Sequence, residues 1–187
     1  MKKRVVITGL GIVAPNGIGL TDFEAALRAG TSGIRFFPKL EALKFSCQIG
    51  GKPQLSQEKI DTYLSSLQQR NFNANGILYG IIAGMDALKD ANIKPADPEA
   101  EPLWDFGIIF GTGTSGVDKF REAIYQVDEK NVRRLGSTTV IQTMSSGISA
   151  YLGGMIGAGN RVTTNSAACA TGTHQVIAMV WAQDSGQ

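Results

Sequence analysis

An α/β fold is predicted for this chain on three observations. Short apolar runs with strand character alternate with helical patterns. Those runs end in turns of glycine or other small residues, at Gly9–Gly11, Gly111–Gly116 and Ser166–Gly172. The composition, 43% hydrophobic and 18% charged over 187 residues, supplies enough apolar surface for a packed core and argues against disorder. The 23 glycines cluster beside the apolar runs, as tight strand-to-helix turns require.

Taken in order, Arg4 to Thr8 reads as a buried strand ending at Gly9-Leu10-Gly11. Thr21 and Glu24 have the spacing of a capping box, so a helix is expected from about Asp22 to Ala29, stopped by Gly30. Phe45 to Ile49 is a candidate short strand, and Ser56 a candidate cap for a helix through the sixties. The spacing of Leu78, Ile81, Ile82, Met85 and Leu88 predicts a helix over Asn75 to Ala91. A proline-rich loop follows to Pro102. Phe106 to Phe110 reads as a second buried strand, with a helix then reaching about Val127. Lys130 to Gly136 reads as a basic loop. Thr139 to Gly153 reads as one helix whose small residues, Ser145 to Gly147 with Ser149 and Ala150, admit a neighbouring backbone. Arg161 to Asn165 is a third strand, and a last helix runs to about Asp184.

Several function classes are disfavoured at once. A net charge of +2 is too small to argue for nucleic acid. Two distant cysteines, Cys47 and Cys169, and a single histidine, His174, make neither a disulfide framework nor a metal-ligand spacing, so no metal and no cofactor are expected. A reducing cytoplasm fits that cysteine usage. Lys2, Lys3 and Arg4 before an apolar run imitate a signal peptide. Thr8, Gly9 and Gly11 interrupt that run, however, and Ala14-Pro15-Asn16 is a poor cleavage site. No apolar stretch reaches the ~18 residues of a membrane span.

Two segments imitate a dinucleotide fingerprint, Gly9 to Ala14 and Gly111 to Gly116. A nucleotide-binding oxidoreductase is therefore a competing reading. It needs a helix opening at the turn and an acidic residue about 20 residues on. Pro15-Asn16-Gly17 opens no helix, and Gly136 stands about 20 residues beyond Gly116, so both segments read better as close-packed turns.

Cys169 is the sharpest candidate. It lies in a run of small residues where a strand feeds a helix, a setting that presents a side chain as a nucleophile elbow does. A helix N-terminus favours thiolate over thiol, and the cysteine's own N–H is a candidate oxyanion donor. The alternative is a buried structural cysteine. Cys47, in a plain strand setting, reads as merely packed. Pairing His174 with Cys169 fails on geometry: five helical residues turn about 500°, which leaves the two side chains about 140° apart. His174 reads instead as a buttressing residue.

Four stretches resemble β-ketoacyl-acyl carrier protein synthases: Arg4 to Val13, Gly30-Thr31-Ser32-Gly33-Ile34, Gly111-Thr112-Gly113, and Ser166-Ala167-Ala168-Cys169-Ala170-Thr171-Gly172-Thr173-His174. The resemblance covers nearly the whole chain in order. It implies the thiolase fold, two similar halves stacked in layers, of which this sequence matches the first, a layered α/β/α arrangement with a mixed sheet over residues 1–187. It implies that Cys169 is acylated by a thioester, and that malonyl-acyl carrier protein is then decarboxylated and condensed with the acyl group in fatty acid or polyketide assembly. It implies an acyl pocket bordered by Gly111, Gly113 and Thr114. It also implies docking of acyl carrier protein at Arg133 and Arg134, with Arg70 the one cation kept in a second patch, and a homodimer. The family's two catalytic histidines and lysine belong to the second half, so residues 1–187 by themselves are expected to be inactive. A non-catalytic half-chain or partner subunit is the other alternative.

Overall fold

The computed structural model describes residues 4–184, apart from the side chains of Asn71, Arg134 and 181–184. The strands are β1 (Val13–Ala14), β2 (Gly17–Ile18), β3 (Ile34–Phe36), β4 (Ile49–Gly51), β5 (Ile108–Gly111) and β6 (Val162–Asn165). The helices are α1 (Leu20–Arg28), α2 (Pro38–Ala42), α3 (Gln57–Asp61), α4 (Ser66–Asn71), α5 (Asn75–Asp90), α6 (Val117–Asp128), α7 (Thr139–Thr143), α8 (Gly147–Ile156) and α9 (Thr171–Asp184). Single 3-10 turns stand at Val132–Arg134 and Ala168–Ala170.

The strands pair two by two. β5 and β6 run parallel, Ile108 opposite Val162 and Gly111 opposite Asn165. β1/β2 and β3/β4 are antiparallel ladders, so parallel and antiparallel pairing occur in separate sheets among the described residues. The core lies between the parallel pair and two long helices. Leu64, Ala74, Ile77, Ile81 and Ile148 form one buried cluster; Leu88, Ile108, Leu152 and Ile156 form another. Close approach of α5 to α8 depends on glycines of α5. A Cβ on Gly80 would lie 2.5 Å from Ile148, and one on Gly84 would lie 2.5 Å from Leu152. The small residues expected to admit a neighbouring backbone include Gly147, where a Cβ would meet the Ile141 carbonyl oxygen, and the glycines of α5 add a second close approach by receiving α8 side chains.

Several expected elements are corrected. Arg4 to Thr8 forms no strand: it has no ladder partner among the described residues, and Ile7 is 78% exposed. An apolar run does not become a strand without a neighbour to pair with. The turn after it packs on α5, where a Cβ on Gly9 or Gly11 would meet the carbonyl oxygens of Ala87 and Ala83 at 2.3 and 1.9 Å. Leu10 N–H donates to Asp90 (2.9 Å). Helix α1 is capped by Gly19 at φ +84, not by Thr21, and Glu24 pairs with Arg28. Ser56 does cap α3, but the capping box belongs to Ser65 and Gln68 at α4. The helix expected over 139–153 breaks at Met144, which is extended, before Ser145-Ser146, residues whose hydroxyls compete for the helical backbone.

A partly buried carboxylate ties α3 to α5. Asp86 accepts from Lys59 Nζ (2.8 Å) and from the Tyr63 hydroxyl (2.6 Å). Burial, then the hydrogen bond to Asp86 and its charge, push the Tyr63 phenol up to about 12, so it remains a donor at neutral pH.

Gly116 joins the glycine turn to α6. It is left-handed (φ +66), and a Cβ there would stand 1.8 Å from the Gln142 carbonyl oxygen. The Gln142 side chain in turn accepts the N–H groups of Asn73 and Ala74 (2.9 and 3.1 Å), fixing the entry to α5. Gly116→Ala is expected to destabilise the protein by about 3 kcal/mol or more, through left-handed strain plus overlap with backbone. Urea unfolding midpoints check this; a loss under about 1 kcal/mol would contradict the contact between Gly116 and α7.

Candidate active site at the start of helix α9

The site is assembled where β6 ends and α9 begins. Asn165 closes the strand, Ser166 and Ala167 leave it, and the 3-10 turn Ala168–Ala170 carries Cys169 to the head of α9. Cys169 is a free, exposed thiol. Before it, Ala168 has φ +47, a conformation that a residue with a Cβ adopts at a cost of roughly 1–2 kcal/mol.

One hydroxyl holds that turn in place. Thr171 Oγ1 donates to the Ala168 carbonyl (2.7 Å) and accepts from the Ala167 N–H (2.8 Å). Thr171 is buried against β5. The space it fills exists because residue 111 has no side chain: a Cβ on Gly111 would lie 2.3 Å from Thr171 Cγ2 and 2.8 Å from Gln175 Cγ. Gly111 at the end of β5 therefore lets α9 settle, Thr171 then clamps the strained turn, and the turn presents Cys169. The amide of Gln175, behind Gly111, is buried and has no hydrogen-bond partner among the described residues.

His174 is exposed on the first turn of α9. Its Nδ1 lies 2.9 Å from Asn165 Nδ2, which ties the first turn of α9 to the end of β6. Cys47 is not packed, and it lies outside a strand: it is exposed before β4, and its thiol donates to the Ile49 carbonyl at 3.7 Å. The strand expected over 45–49 begins only at Ile49, because Phe45 and Ser46 still close the turn after α2.

The other predicted residues fall in two groups. Gly111 is packed under α9, while Gly113 and Thr114 are exposed in the turn that follows, and a Cβ on Gly113 would meet nothing within 4 Å. Arg133 is exposed in the 3-10 turn Val132–Arg134. Arg70 lines a cleft of about 180 Å³ with Lys119, Leu135 and Gly136, so α4 and the basic loop share one face. Lys119, which sequence reading did not single out, sits there paired with Glu122 (2.5 Å). Thr171 also escaped that reading. Its signal is a threonine at the first helical position, directly after the small-residue run around Cys169. Among the described residues there is no group of three or more His, Cys, Asp or Glu placed to hold a metal, and no helix is long and apolar enough to cross a membrane.

The sequence and the order of elements are matched in known proteins. The sequence model of the β-ketoacyl synthase N-terminal domain covers residues 2–183. The chain belongs to the β-ketoacyl synthases. It is 31% identical over 176 residues to the chloroplastic 3-oxoacyl-[acyl-carrier-protein] synthase I of Arabidopsis thaliana, covering 92% of this chain and 36% of that protein. It is 32% identical over 179 residues to 3-oxoacyl-[acyl-carrier-protein] synthase 2 of Staphylococcus aureus, covering 93% and 41%. Among solved structures, a β-ketoacyl synthase from Burkholderia phymatum superposes with a TM-score of 0.76 at 22% identity, over 98% of this chain and 44% of that one. The ishigamide ketosynthase/chain length factor superposes with a TM-score of 0.79 at 18% identity, over 100% and 45%. The fold is thus the N-terminal half of a ketosynthase of thiolase-like architecture. This β-ketoacyl synthase chain spans well under half the length of the curated relatives it matches. Most glycines of the turns that imitate a nucleotide fingerprint serve packing: Gly9 and Gly11 lie against α5, Gly111 against α9 and Gly116 against α7, while Gly113 stands open.

Proposed function

We propose that residues 1–187 form the N-terminal, acyl-accepting domain of a β-ketoacyl-acyl carrier protein synthase, with Cys169 as its nucleophile. The observation that carries this reading is the exposed Cys169 in a strained turn, clamped by Thr171, at the head of the 14-residue helix α9. The Cys169 sulfur attacks the carbonyl of an acyl thioester. A C–S bond forms, the tetrahedral oxyanion is met by the Cys169 N–H, and the carrier thiolate leaves and takes up a proton. In the complete enzyme, malonyl thioester loses CO2 and the resulting enolate attacks the acyl carbonyl. A carbon–carbon bond forms and the Cys169 thiolate departs. The acyl chain lies toward Gly111, Gly113 and Thr114. Transfer of an acyl group from a short thioester, read as a mass adduct on the peptide holding Cys169, tests the reading. Retained NAD with no adduct would favour the oxidoreductase instead.

Acyl carrier protein is the acidic partner this reading requires, and Arg133, Arg134 and Arg70 are the cations that meet it. Replacing Arg133 and Arg134 with glutamate in the full protein is expected to lower kcat/KM for carrier-bound substrate by about tenfold, with small thioesters little changed. The difference should shrink as salt rises, and equal loss for both substrate types would mean that the loop acts structurally.

Strand β6 pairs only with β5 among the described residues, which leaves its outer edge open, and Val162 on it is 39% exposed. We place the two-fold axis of a homodimer along that edge, β6 against its twin. Sedimentation should report a dimer that Val162→Lys weakens; a monomer at high concentration would exclude the arrangement. Two free cysteines suit a reducing compartment, in the first place the cytoplasm.

A further inference from the structure

The hairpin β3/β4 is inside out. Ile34, Phe36 and Ile49 are exposed on its outer face, while Arg35 between them is half-buried and turned toward α5. An ordinary amphipathic hairpin places its cation outside and its aliphatic residues inside. Arg35 opens onto a cavity of about 350 Å³ between the hairpin, the 52–55 loop and α5. That volume is in the range of small-molecule sites.

The guanidinium is held ready rather than neutralised. It stacks on Phe37 (5.4 Å to the ring centre) and donates to the Lys52 carbonyl (3.0 Å). With the Gln54 amide oriented to suit it, the amide oxygen accepts from both terminal nitrogens at 2.6 and 3.0 Å. A neutral oxygen on an exposed side chain thus occupies the fork that a carboxylate or phosphate would take bidentately. Lys52 also lines the cavity, and neither cation has an ion pair among the described residues. Leu55, Ile60 and Leu78 supply the apolar part of the remaining wall, with Asn75 and the Tyr79 ring beside them. Asp118, whose charge acts on Tyr79, is tied to the backbone and side-chain N–H groups of Asn75 (both 3.0 Å).

We propose that this cavity binds a small amphiphilic anion. Its carboxylate or phosphate displaces Gln54 from Arg35, with Lys52 adding charge, and its apolar stem lies on Leu55, Ile60 and Leu78. The inference is independent of the role given to Cys169, whose acylation is a separate readout.

Calorimetric titration of the full protein with hexanoate, butyl phosphate, inorganic phosphate and hexanol tests it. Saturable binding of hexanoate or butyl phosphate is expected, at least about tenfold tighter than hexanol or inorganic phosphate, and the tighter of the two identifies the headgroup. Arg35→Gln should weaken that binding about tenfold or more. Gln54→Ala removes the competing oxygen without changing charge and should tighten it, so it carries the test if Arg35→Gln proves too unstable by thermal unfolding. No saturable binding of either anion, binding matched by hexanol or by inorganic phosphate, or tightening absent in Gln54→Ala would overturn the proposal.

Discussion

Cys169→Ala in the full protein is expected to cut acylation by a short acyl thioester by roughly a thousandfold, to background, whereas Cys47→Ala leaves it intact. Both thiols are free and exposed. A preference for Cys169 would therefore report reactivity rather than access. Its source is position: a strand end, a left-handed Ala168, and a 3-10 turn directly before a long helix. The adduct is mapped by digestion and mass spectrometry, with iodoacetamide at pH 7 as a second reagent. Equal or greater modification of Cys47 would refute the assignment. The expected loss comes from removing the attacking atom, so no neighbouring group can restore it.

Residues 1–187 alone are expected to form no condensation product from acyl- and malonyl-carrier protein. The rate should fall at least about a thousandfold below that of a complete synthase. Losing CO2 from malonyl thioester generates an enolate, which needs hydrogen-bond donors aimed at its oxygen. The chain contains one histidine, and that imidazole is engaged with Asn165 at 2.9 Å. Slow acylation of Cys169 remains compatible with this outcome, because nucleophilic attack requires only the thiolate. The isolated polypeptide should also be poorly soluble. Val176 and Ile177 on α9 and Val117 and Phe120 on α6 are 44–65% exposed, more apolar surface than a monomer ordinarily leaves bare. Turnover near that of a complete enzyme, abolished by His174→Ala, would refute the prediction and make His174 catalytic.

Much of the site was legible before any coordinates. Helix α5 follows its apolar spacing to within a residue, β6 lies within the segment read as a strand and β5 overruns its own by one residue at Gly111, and the cysteine stands at the strand-to-helix turn where small residues cluster. Helical angle sets His174 apart from Cys169 only along one continuous helix, whereas Cys169 stands in the 3-10 turn before α9. The role of the glycines did not follow so simply. Gly9 and Gly11 look like ligand-cradling residues in one dimension, and only packing against Ala83 and Ala87 shows them to be sites of close helix approach.

The sequence by itself determined the local, periodic features of this protein: the alternation of strands and helices, the long core helix, and the small-residue turn around Cys169. These depend on neighbours in the chain, and spacing records them. Only the tertiary structure decided what depends on distant partners. Arg4 to Thr8 has strand composition but forms no ladder, because β5 pairs with β6 and with no other strand among the described residues. Thr171 became the clamp of the Cys169 turn because Gly111, 60 positions earlier, leaves it room. Arg35 faces a cavity whose far wall is α5, a wall that no pattern within the hairpin records. In each case the deciding quantity is the space or the hydrogen-bonding group offered by a residue far away in sequence, and a linear pattern does not carry that information.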